Sequence, residues 1–137
     1  MSIKGIFPID KWDFESQSVL LNLPEEDVQL LMAHHSEQVY RKGDIIFREG
    51  AYPSGIFFLK SGKVKKYKLD KDGKEQIIYV ANKGELIGYH AVLADDRYPD
   101  SAAALEESVI HFIPREDFLQ TLDHSVVLGR RLLQTLS

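Results

Sequence analysis

Between Glu37 and Pro114 the chain alternates short runs rich in Val, Ile, Phe and Tyr with glycine-bearing turns. That alternation restricts the segment to a closed or two-layered antiparallel architecture, a sandwich, jelly roll or barrel. The runs 38–40, 45–48, 55–60, 63–69, 75–81 and 109–113 read as strands. They are punctuated by Lys42-Gly43-Asp44, Glu49-Gly50, Ser61-Gly62-Lys63, Lys71-Asp72-Gly73-Lys74 and Lys83-Gly84-Glu85. Asp72-Gly73 is the sharpest of these signals, because a tight hairpin needs positive φ at its centre.

Both flanks read as helical. Up to about Ser36, the run Leu23-Pro24-Glu25-Glu26-Asp27 has the form of a helix start, with proline and acids in the first turn. Val28, Leu31 and Met32 then share one face, while Trp12 and Phe14 are candidates to dock the segment onto the rest. Pro114-Arg115-Glu116-Asp117 opens a short helix burying Phe118, Leu119 and Leu122. Asp123 is the expected cap of a last helix running from His124, whose apolar residues Val126, Val127, Leu128, Leu132, Leu133 and Leu136 cover more than one face. With no capping glycine or proline, that helix reads as the start of a longer one. The expected division is a helical segment over 1–36, a jelly roll over 37–122 and the start of a dimerisation helix over 123–137.

Charge and composition remove several function classes. A hydrophobic fraction of 44% with 28% charged residues argues against disorder. The net charge of -4 argues against a surface that grips DNA by itself, since such a surface must replace phosphate counterions. The absence of cysteine excludes disulfides, thiolate zinc sites and Fe–S clusters. No apolar run approaches the roughly 20 residues needed to span a bilayer, and Met1 to Phe14 lacks the form of a signal peptide, so a cytoplasmic location is expected.

Several stretches resemble a known family. Arg41-Lys42-Gly43-Asp44-Ile45-Ile46-Phe47-Arg48-Glu49-Gly50 and Gly55-Ile56-Phe57-Phe58-Leu59-Lys60-Ser61-Gly62-Lys63-Val64 look like the opening strands of the cyclic-nucleotide-binding domain. Lys83-Gly84-Glu85-Leu86-Ile87-Gly88 and Ser101-Ala102-Ala103-Ala104-Leu105-Glu106 resemble its phosphate-binding cassette, and Phe112-Ile113-Pro114-Arg115-Glu116-Asp117-Phe118 the strand and helix that follow. The overall pattern is similar to the sensor domain of Crp/Fnr-type transcription regulators. The resemblance implies a mainly β fold with flanking helices, an eight-stranded double-stranded β-helix (jelly roll), followed by a dimerisation helix and a DNA-binding domain that this sequence does not contain.

It also locates an effector pocket, at Gly88, Tyr89, His90, Ala91, Arg97, Asp100, Ser101 and Ala102. In nucleotide-binding members a glutamate follows the cassette glycine and an arginine precedes the Ser-Ala pair. Here Tyr89 and Asp100 stand at those places. Two like charges ~4 Å apart cost roughly 4 kcal/mol at an effective dielectric near 20, about three decades of affinity. Cyclic AMP is therefore not the expected ligand, although Arg97 could substitute by a loop shift. Two readings stay open, a modified small-molecule effector pocket and a vestigial one. No cofactor is expected.

Other candidates fare worse. His34 and His35, taken as helical neighbours, point about 100° apart and cannot share a metal. His90 and His111 are isolated, and the His-x-His spacing of a cupin metalloenzyme is missing, so no metal site and no catalytic residue is assigned. Lys63, Lys65, Lys66 and Lys68 read as a solvated face or a guard on a sheet edge. Gly129, inside the last helix, costs up to ~1 kcal/mol against alanine, which a close helix–helix approach would explain. The leading function is a non-enzymatic effector-sensing domain acting as a homodimer through its last helix, with DNA reached only through another domain and no membrane contact. The alternative is a stand-alone regulatory or protein-interaction module.

Overall fold

The computed structural model describes residue 20 and residues 23–136, with the side chains of residues 135 and 136 excepted. In chain order the elements are α1 (Glu25–Met32), β1 (Ser36–Tyr40), β2 (Ile45–Phe47), β3 (Gly55–Ser61), β4 (Lys63–Leu69), β5 (Glu75–Asn82), β6 (Leu86–Ile87), α2 (Tyr89–Ala94), β7 (Ser101–Ala104), β8 (Ser108–Pro114), α3 (Arg115–His124) and α4 (Val126–Leu136). The strands form two four-stranded sheets, ordered β1-β8-β3-β6 and β2-β7-β4-β5, and every pairing is antiparallel. This is the expected eight-stranded jelly roll with helices at its flanks.

The hairpin at Asp72-Gly73 forms as the sequence requires. Gly73 has φ +82°, and Asp70 closes the turn from both sides, its amide donating to the Lys74 carbonyl and its carboxylate accepting from the amides of Asp72 and Lys74. Two clusters make the core. One lies between the sheets and holds Phe47, Phe57, Leu59, Val64, Ile87, Tyr98 and Ile110. The other joins the helices to the sheet through Leu31, Ile56, Tyr89, Val92, Ile113, Phe118, Leu128 and Leu132. Phe118, Leu31 and Ile113 are fully buried, each contributing roughly 1.5–3 kcal/mol by area removed from water.

Three expectations change. Among the described residues the first helix spans Glu25–Met32 only, so His34, in the turn after it, and His35, between that turn and β1, follow it rather than sitting on it; Trp12 and Phe14 lie outside the described residues. Asp123 does not cap the last helix. It sits in α3, and Ser125 caps α4 instead, its Oγ accepting the Leu128 amide at 3.1 Å. The lysines of β4 do not guard an edge, because β4 runs between β7 and β5, and β5 is the edge.

Candidate functional site

Gly88 turns the chain from β6 into α2 with φ +85°, a conformation that suits glycine. A Cβ there would also come 3.3 Å from the Tyr98 ring. This turn sets Tyr89 and His90 at the start of α2, their rings 4.5 Å apart. Beside them is a cavity of about 220 Å³, walled by residues 85–90 together with Lys66, Tyr79 and Ala81.

The sequence-derived site residues separate into three groups. Gly88, Tyr89 and His90 wall the cavity. Ala91 and Ala102 are buried in the intersheet core. The remaining polar members are engaged with the protein itself. Arg97 donates from Nη1 to the Gly50 carbonyl at 2.9 Å and lies over the Tyr52 ring at 4.3 Å, so it serves the β2–β3 loop. Ser101 Oγ accepts the Glu49 amide at 2.8 Å. Asp100, only 7% exposed, faces Lys66, with its carboxylate 3.6 Å from Nζ.

Lys66 is the residue sequence reading missed. Two residues after the fully buried Val64, it shares that residue's face of β4 and so points inward. No local sequence signal announced it: Val64 and Tyr67 are both buried at a spacing of three, which a regular strand forbids, and only the structure shows the bulge between Lys66 and Tyr67 that allows this.

The cavity also contains a carboxylate, Glu85. Its two oxygens accept from the Tyr79 hydroxyl at 2.5 Å and the Asn82 amide at 2.8 Å. Burial, and then the contact with Glu85, push the Tyr79 hydroxyl well above the usual phenol range. Burial also pushes the His90 imidazole below its ordinary value; Lys66 pushes the same way and Asp100 opposes it. Lys66, His90 and Asp100 thus form one electrostatic unit. Tyr98 packs under the site, stacked 4.0 Å from Phe47, its hydroxyl pushed up to about 12 by burial.

The match to the cyclic nucleotide-binding domain covers residues 37–125. The chain belongs to this family. It is 26% identical over 115 residues to the cyclic AMP receptor protein of Thermus thermophilus, covering 84% of this chain and 53% of that one. It is 33% identical over 96 residues to the fumarate and nitrate reduction regulatory protein of Vibrio cholerae, covering 70% and 38%. Among solved structures, the sensor domain of the transcriptional regulator DNR from Pseudomonas aeruginosa superposes with a TM-score of 0.77 at 25% identity, covering 99% of this chain and 89% of that one. The chain spans about half the length of the Thermus receptor. The fold is therefore that of a Crp/Fnr-type sensor domain.

Two further polar clusters lie apart from the cavity's lining. His34 Nδ1 lies 2.8 Å from the Asp117 carboxylate, tying the turn after α1 to α3. The carboxylates of Glu26 and Asp27 and the His124 ring come within 4.8 Å of one another. Acids in the first turn of α1 are already favoured by its free amides and need no ion to explain them. No helix among the described residues is long and apolar enough to cross a membrane.

Proposed function

We propose that this chain is the effector-sensing domain of a Crp/Fnr-type transcription regulator whose effector is a small molecule other than cyclic AMP. The cavity beside Gly88 is the effector site, and the divisions 1–36, 37–122 and 123–137 are its functional parts. The observation that carries the ligand reading is the pairing of Asp100 with Lys66. The position that holds arginine in nucleotide-binding members carries a buried carboxylate already partnered by the protein.

The output element is α4. Leu128 and Leu132 bury one side of it, while Val126 and Leu133 are each 67% exposed. Val126, Gly129 and Leu133 fall at i, i+3 and i+7, the spacing of a helix–helix seam. A Cβ at Gly129 would meet nothing within 4 Å, so among the described residues nothing requires a glycine there. A second copy of the same helix would. In this reading the homodimer pairs through α4, and the effector biases that pair between two arrangements. With a net charge of -4, DNA contact belongs to a different domain of the regulator, acting in the cytoplasm.

Calorimetric titration with cyclic AMP and cyclic GMP tests the ligand reading. The expected result is no saturable heat below millimolar concentration. Micromolar binding of either nucleotide would overturn it.

A further inference from the structure

Lys66 is the one cation among the residues that line the cavity, whose wall also holds the Glu85 carboxylate, and its own partner is Asp100. The lysine side chain is 20% exposed and the Asp100 side chain 10% exposed, so the pair is largely removed from water. At 3.6 Å it is longer than the roughly 2.7–2.9 Å of a tight charge-assisted hydrogen bond. The contact holds two desolvated charges together without the geometry that best offsets their desolvation. A carboxylate able to approach Lys66 more closely could replace it.

The cavity wall suggests what that carboxylate would be attached to. Ala81, Leu86 and Ile87 are apolar, and Tyr79, Tyr89 and His90 are the aromatic members of the lining. Burial and Lys66 both favour the neutral form of His90, with Asp100 opposing them, and both oxygens of Glu85 are already engaged by the Tyr79 hydroxyl and the Asn82 amide, which leaves Lys66 as the charged group in the wall able to meet an anion. One cation matches a monoanion. The volume of about 220 Å³ is below the roughly 300–1,000 Å³ of pockets that take drug-sized ligands, which favours a compact acid over a nucleotide.

Resting on the assignment of this cavity as the effector site, we infer that it takes a small organic monocarboxylate with an apolar or aromatic body, anchored by Lys66, and that Asp100 is a built-in competitor occupying the anchor when no ligand is bound. The anchoring cation has moved from the cassette, where nucleotide-binding members carry an arginine, to strand β4. Binding then frees Asp100, and with it the loop between α2 and β7, so that occupancy is read out by the cassette.

The test uses benzoate as the probe, with inorganic phosphate beside it, followed by backbone and aromatic NMR shifts in the full chain. Asp100→Asn keeps the side-chain shape and removes the competing charge. It should bind benzoate about tenfold or more tightly than the unchanged protein, the equivalent of one charge-assisted contact, with shifts at Gly88, Tyr89 and His90. Lys66→Met should abolish binding in either background, and Lys66→Arg should retain it. Thermal melts of each variant separate loss of binding from loss of fold.

Benzoate shifts at Gly88 to His90 that are indifferent to both Lys66 and Asp100 would sink the anchor and leave the effector site standing. Shifts that map away from the cavity would sink the effector site as well. Binding of phosphate in preference to benzoate by Asp100→Asn, or no binding of benzoate by that variant at millimolar concentration, would overturn the carboxylate assignment.

Discussion

His35 stacks on His111, with ring centroids 4.8 Å apart and planes inclined by 23°. His35 Nδ1 lies 2.6 Å from the Met32 carbonyl, so that nitrogen carries the proton and donates. His111 Nε2 reaches a Glu37 carboxylate oxygen at 3.1 Å, and its Nδ1 is buried without a partner. Burial, and next the neighbouring His35, push the His111 imidazole below its ordinary value of 6.5. A histidine held neutral in the folded state takes up its proton more readily once unfolded. Its stabilising contribution is therefore full above about pH 6.5, declines as pH falls below that, and levels off beneath the folded value. The thermal midpoint should drop between pH 7.5 and 5.5, and His111→Gln should flatten part of that drop. His90, shifted the same way, supplies another part. Parallel curves for the variant and the unchanged protein would refute the role of His111.

Gly55 begins β3 hard against β8. A Cβ there would lie 2.2 Å from the Ile113 carbonyl oxygen and 2.6 Å from the Phe112 ring. The ring could turn, but the carbonyl is backbone in a paired strand and cannot move alone. Gly55→Ala should cost about 3 kcal/mol, the upper end of ordinary overpacking, read as a lower urea midpoint with an unchanged slope. A variant as stable as the unchanged protein would show that β3 and β8 can part at this end.

The strand run and the flanking helices were legible because glycine turns and period-two apolar runs are local signals. β6 and β7 were not found by pattern. Leu86–Ile87 is two residues long, and Ser101–Ala104 is Ser-Ala-Ala-Ala, low in β-propensity and strand-forming only through its neighbours β2 and β4. The site was legible in outline through Gly88, whose turn places Tyr89 and His90. Its charge was not, because the pairing of Lys66 with Asp100 joins positions 34 apart and depends on the bulge after Lys66. Arg97 looked like a substitute cation, yet its guanidinium donates to the Gly50 carbonyl, a partner no sequence spacing announces.

The exposed apolar side of α4, proposed above as the dimer seam, makes a separable prediction. Leu133 is 67% exposed, so Leu133→Glu should leave the stability of the isolated chain within about 0.5 kcal/mol. It should shift the association equilibrium toward monomer, measured by sedimentation velocity across a concentration series. Gly129→Ala acts oppositely on the two quantities. It should stabilise the helix by up to about 1 kcal/mol while weakening self-association, because the added methyl stands where a partner helix would approach. Unchanged association in both variants would place the dimer contact elsewhere.

Ser125 carries the junction that links the jelly roll to this helix. It is 3% exposed and serves two elements. Its amide donates to the Thr121 carbonyl at 2.7 Å, closing α3, and its Oγ accepts the Leu128 amide at 3.1 Å, opening α4. Its extended backbone, φ -109° and ψ 106°, is what separates the two helices. Leu128 is the third residue of α4 and its amide has no intrahelical acceptor, so loss of the hydroxyl strands a buried donor. Ser125→Ala should therefore cost about 1 kcal/mol, as N-cap removal generally does, and should speed hydrogen exchange at the Leu128 amide. Asp123→Ala, at an exposed position within α3, should change stability by less than about 0.5 kcal/mol. The comparison is decided by paired denaturant titrations. A larger loss at Asp123 than at Ser125 would restore Asp123 as the residue that starts the helix.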